Sequence, residues 1–163
     1  MPPQQVRDPF SLFVDELAPV YRELGFVLDF TAYNELISLY RQLTPFDAEK
    51  SEYLTHNFIT CQDTLIGYLS VAQKLMLDAE TTEREVEASM SIKADVKSVA
   101  NGERLANRTQ EVIDARRNSN LLASFHEGLR LKLELLRQAH YSCKQSWEIA
   151  EDARKRKTGV YRG

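Results

Sequence analysis

Residues 54–79, LTHNFITCQDTLIGYLSVAQKLMLDA, decide the fold. Leu54, Phe58, Cys61, Leu65, Tyr68, Ala72, Leu75 and Ala79 recur at alternating spacings of four and three. That spacing sets them on one stripe of an α-helix and makes the stretch a heptad seam. The stripe continues in weaker form through Thr82, Val86, Ser89, Lys93 and Val96. No proline occurs from Phe46 to Gly163, so no missing backbone N–H obliges the helix to stop early. Asn101-Gly102 supplies the stop, since both residues tolerate the left-handed conformation that closes a helix. The pattern predicts a turn over 100–108 and a second long helix from near Thr109.

The second helix carries Leu122, Phe125, Leu129, Leu133, Leu136, His140, Cys143, Trp147 and Ala150 on one stripe, broadened by Leu121, Leu131, Leu135, Tyr141 and Ile149. Two helices of about 50 residues would each extend roughly 75 Å. A hairpin that long cannot cover two wide apolar stripes alone. Leu54, Phe58, Leu65, Leu122, Phe125, Leu129, Leu136 and Trp147 are therefore expected at the interface of a homo-oligomer.

Working outward, Asp8-Pro9 reads as an N-cap followed by proline at the first helical position. Pro19 should end or kink that helix. After Gly25, Thr31 is placed to cap a second short helix through YNELISLYRQL, and Thr44-Pro45 repeats the cap-plus-proline signal. The fold expected is all-α: a long antiparallel, coiled-coil-like hairpin over 45–158, an acidic, aromatic-rich helical segment over 1–44 packed at its base, and a basic tail over 159–163.

Composition agrees with a packed helical chain: 43% of the residues are hydrophobic and 28% charged, with 6 Gly and 5 Pro among 163. No apolar run approaches the ~18 residues of a membrane span, and MPPQQVRDPF lacks the apolar core of a signal peptide. The expectation is a cytoplasmic protein, in the host cytoplasm if phage-encoded. Cys61 and Cys143 lie inside helical patterns and read as buried thiols, neither a disulfide framework nor a metal motif.

Signatures of catalysis are missing from the sequence: there is no glycine-rich phosphate loop, HExxH, CxxC or GxSxG. Ser124-Phe125-His126-Glu127-Gly128 makes no triad, because neighbours on a helix point different ways. His56, His126 and His140 are too scattered to share a metal, so no catalytic residue, metal ligand or cofactor is assigned. Glu80, Glu83, Glu85 and Glu87 fall around the helix, as solvated surface charge does.

The net charge of −3 conceals a division. Residues 1–92 hold 6 Lys+Arg against 15 Asp+Glu (−9), and residues 93–163 hold 15 against 9 (+6). Lys93, Lys97, Arg104, Arg108, Arg116 and Arg117 should gather around the hairpin tip, an arrangement that suits phosphate backbones. Arg154, Lys155, Arg156 and Lys157, with Arg162, make a second basic set, to which Val160 and Tyr161 add a stacking surface.

From about Ala72 to Arg156, roughly half the chain, the sequence resembles the small helical-hairpin proteins of tailed phages, among them the UvsY-type recombination mediators. The resemblance lies in EVEASMSIKADVKSVANGE leading to a polar turn, then QEVIDA, then LLASFHEGLRLKLELLRQAHYSCKQSW. It implies an oligomer that binds single-stranded DNA and helps load a recombinase onto strands covered by a single-strand-binding protein. The residues taken by themselves leave two other readings open. One is a structural or assembly protein, such as a virion, scaffold or chaperone component; the other is a helical adaptor that grips a host protein.

Overall fold

The computed structural model describes residues 8–44, 47–93, 99–107 and 109–159. Five helices follow in order: α1 (Pro9–Glu23), α2 (Thr31–Arg41), α3 (Ala48–Lys93), α4 (Val99–Ala106) and α5 (Gln110–Lys157). The described residues contain no strand and no helix long and apolar enough to cross a membrane.

Local chemistry fixes the helix ends. Asp8 caps α1 by accepting the Phe10 amide at 3.2 Å, with Pro9 at the first helical position as expected. The helix closes where Gly25, at φ 85°, donates to the Arg22 carbonyl and Phe26 to that of Tyr21, a left-handed stop that favours glycine. Of the two expected effects of Pro19, the helix does not end there: α1 runs through it to Glu23. Pro19 has no backbone N–H to give to the preceding turn, and it lies on the exposed side of α1. Thr31 is likewise the first residue of α2 and not its cap; the Asp29 carboxylate takes the Thr31 amide at 2.9 Å. That bond to the charged form pulls the Asp29 pKa down. Asp47 takes up the start of α3 by accepting the Lys50 amide at 3.1 Å; Pro45 lies outside the described residues.

Asn101-Gly102 is the second departure. Both residues lie inside α4, with Gly102 buried; α3 is described as far as Lys93, and 94–98 lie outside the described residues. Tolerance of the left-handed conformation permits a turn without demanding one, and a buried glycine lets a neighbouring element approach closely.

The chain divides into two compact units: one joins Met1–Phe26 to Tyr68–Leu129, the other Val27–Gly67 to Arg130–Gly163. α1 belongs to the first unit and α2 to the second.

In the first unit the core gathers Leu17, Tyr21, Tyr68, Ala72, Ala79, Val112, Leu122, Phe125 and Leu129. Tyr21, fully buried, donates its hydroxyl to the Tyr68 carbonyl at 2.7 Å and packs edge-on to the Tyr68 and Phe125 rings. Phe10 stacks on Phe125 with centroids 5.3 Å apart, entering a notch that Gly128 opens one helical turn further along α5.

In the second unit the core gathers Tyr33, Leu36, Ile37, Leu54, Phe58, Cys61, Leu65, Leu133, Leu136, Ala139 and Cys143. Gln62 meets His140, and His56 meets Trp147, so α3 and α5 run antiparallel there. The Trp147 indole nitrogen and the Ser51 hydroxyl are buried without a hydrogen-bond partner.

This packing overturns the interface assignment. Leu54, Phe58, Leu65, Leu122, Phe125, Leu129 and Leu136 are each at most 4% exposed in the single chain, and Trp147 is partly buried. The chain's own helices cover them, α1 and α2 supplying cover that the stripe alone did not reveal. Each such side chain is worth roughly 1.5–3 kcal/mol when fully buried.

A Cβ at position 128 would come within 2.6 and 2.7 Å of two Phe10 ring atoms, whereas one at position 67 meets nothing within 4 Å. Gly128→Ala is expected to destabilise the protein by about 1–3 kcal/mol despite its better helix propensity. Gly67→Ala should stabilise by about 0.5–1 kcal/mol. Urea unfolding of the two variants checks both signs.

Candidate nucleic-acid interface

The cations of the expected tip fall in the first unit on three helices. Lys93 ends α3, Arg104 lies on α4, and Arg116 and Arg117 stand in the second turn of α5. Lys97 and Arg108 lie outside the described residues. Lys93, Arg104 and Arg117 are exposed, and none has an acidic partner among the described residues.

Arg116 departs from the expectation. Its guanidinium bonds Glu83 at 3.3 Å and Glu87 on α3, and also the Asn107 side chain at 2.6 Å. Glu83 and Glu87 are one turn apart on one face of α3, so their carboxylates converge on one fork, not dispersing around the helix as expected. The two carboxylates hold the Arg116 pKa above its ordinary value. A cation engaged by two acids has little charge left for a phosphate. Arg116 is therefore a clamp between α3 and α5, tied also to the residue that follows α4. Sequence reasoning missed it because 33 residues separate Arg116 from Glu83. Arg84, also not singled out, lines a cleft of about 370 Å³ with Arg116, Glu87, Glu103 and Ser91.

The second basic set lies in the last turn of α5. Arg154 pairs with Glu151 at 3.1 Å, while Lys155, Arg156 and Lys157 are exposed and have no acidic partner among the described residues. Thr158 donates its hydroxyl to the Arg154 and Lys155 carbonyls, and Gly159, at φ 71°, closes the helix. Cations in a last turn also gain from the helix dipole. Val160, Tyr161 and Arg162 lie outside the described residues.

His140 is held by Gln62 at 3.2 Å and lies against Phe58, and His56 lies 4.0 Å from Glu52. No group of three or more metal-ligating side chains occurs among the described residues. Cys61 and Cys143 are buried free thiols. Burial raises both, Cys143 to about 11.

Compared with known proteins, the chain matches no family model, no curated protein and no solved structure.

The cysteines give a pH prediction. A thiol moved from 9.0 to about 11 holds about a hundredfold less thiolate at pH 8. Cys143 in the folded chain should therefore be alkylated by iodoacetamide at least that much more slowly than in urea. The folded thiol keeps its proton where the unfolded one has lost it. Its contribution is complete below about pH 9 and falls as pH rises towards about 11, so stability should decline across that window. A Cys143→Ala variant should show a shallower decline when unfolding is followed against pH.

Proposed function

We propose that this chain is a binding protein without catalysis of its own: a recombination mediator of the tailed-phage type that neutralises the phosphates of single-stranded DNA and helps seat a recombinase on strands coated by a single-strand-binding protein. One observation carries the reading. Lys93, Arg104 and Arg117 are exposed on three helices of one unit with no acidic partner among the described residues, while Arg116 beside them is neutralised. Charge left open in this way suits a polyanion, whose bound counterions are released when cations replace them.

The antiparallel run of α3 and α5 in the second unit supports the helical hairpin that the resemblance implies. The excess of +6 over residues 93–163 supports attraction to DNA despite the overall −3. Contacts of this kind position a protein on the strand without reading its bases.

The second reading, an assembly protein whose charges join protomers, draws support from Leu39 and Tyr53, which are 39% and 55% exposed beside acidic groups.

Titration of a labelled oligonucleotide separates the two. With DNA binding, log K falls against log salt by about 0.7 per phosphate neutralised, so Lys93→Ala/Arg104→Ala/Arg117→Ala should flatten the slope by about 2. Arg116→Gln should leave the slope unchanged, because its charge is already engaged. Absence of binding at low salt removes DNA and leaves the assembly protein in its place; a triple variant with wild-type affinity and slope removes Lys93, Arg104 and Arg117 from the contact.

A further inference from the structure

Within the second unit, the channel between α2 and the start of α3 joins an apolar floor to an acidic rim. Two cavities open there, of about 260 and 480 Å³, and both are lined by Leu39 and Tyr53. These side chains remain 39% and 55% exposed, an apolar surface that favours a cover. On the rim, Glu35 and Glu49 are exposed and without an ion pair among the described residues. Asp47, also on the rim, is held by Lys50 at 3.6 Å, so the cation that lines these cavities among the described residues is already engaged. Tyr33 shows that a cation suits the aromatic groups here: Lys132 sits 4.6 Å above its ring. A fitting occupant is basic and carries an apolar or aromatic side chain.

The sequence holds such a segment. Lys155, Arg156 and Lys157 end α5 without acidic partners among the described residues, and Val160, Tyr161 and Arg162 follow. Groove and basic turn belong to the same unit, yet the Glu35 and Glu49 carboxylates and these cations are not paired with one another within the chain. We propose that the α2–α3 groove is the docking site for the basic C-terminal segment of a second copy of this chain. The cations of that segment meet Glu35 and Glu49, and an apolar side chain covers Leu39 and Tyr53. The contact joins unlike surfaces, so copies add head to tail into a ring or an open chain. The inference rests on the groove and the charge division and does not require DNA binding. Where both hold, DNA meets Lys93, Arg104 and Arg117, and the neighbouring groove takes Lys155, Arg156 and Lys157.

Sedimentation velocity on the full chain, free of nucleic acid, tests the proposal. The wild type should associate at tens of micromolar in low salt and dissociate as salt screens the rim. Glu35→Lys/Glu49→Lys should weaken self-association about tenfold or more, and Lys155→Glu/Arg156→Glu equally. Mixing the two variants should restore association, since each supplies the charge that the other lacks. All four positions are exposed, so helix content by circular dichroism should not change. If either variant loses helix content, a labelled peptide of residues 154–163 titrated into the wild type takes its place, with saturable, salt-sensitive binding expected. A wild type that stays monomeric in low salt, an oligomer whose mass neither variant alters, or a peptide that does not bind overturns the proposal.

Discussion

The apolar stripe of α3 must leave water along its length, and each unit meets that demand differently. In the second unit Leu54, Phe58, Cys61 and Leu65 share a core with Leu133, Leu136 and Cys143 of α5, and α2 adds Tyr33, Leu36 and Ile37. In the first unit Tyr68, Ala72 and Ala79 share one with Leu122, Phe125 and Leu129, and α1 adds Leu17 and Tyr21. Tyr21 packs edge-on to Tyr68 and Phe125 in that core. The hydroxyl of Tyr21 could not enter it unpartnered, because a buried polar group without a bond costs about 1–3 kcal/mol, and the Tyr68 carbonyl removes that cost.

What the sequence made legible follows from periodicity. Every seam position from Leu54 to Ala79 is buried except Leu75, which is partly so, and beyond Ala79 the stripe fades to a half-buried Val86 and an exposed Ser89, as its composition suggested. The N-cap of α1 was legible for the same reason, since Asp8 acts on an amide two residues away. Long-range features were not. Nothing local to Gly128 announces that Phe10 fills its notch, and nothing local to Glu83 or Glu87 names Arg116. The interface assignment failed on this point: the stripe revealed how much apolar surface needed cover, but not that α1 and α2 supply it.

The ion pairs show why the charge division survives folding. Lys50–Asp47, Lys74–Asp78, Arg130–Glu134 and Arg154–Glu151 are neighbours three or four residues apart on exposed helix faces. Such pairs contribute little to stability and neutralise charge only where it arises. Arg116 is different, since it brings acids of the negative half to a cation of the positive half. That exchange leaves Arg117, Lys155, Arg156 and Lys157 of α5 without an acidic partner among the described residues, and a candidate surface for polyanions or acidic partners follows from it.

The helical setting of Asn101-Gly102 bears on how the protein ages. Asparagine before glycine is the pair most prone to cyclise and rearrange to isoaspartate, because the glycine amide meets little hindrance in attacking the side-chain carbonyl. That attack needs a backbone geometry outside the helical range, and α4 withholds it. Rearrangement then proceeds only in the fraction of time that α4 is open. The rate at which isoaspartate accumulates at Asn101 becomes a chemical clock for the fraying of this short helix, written into the covalent structure.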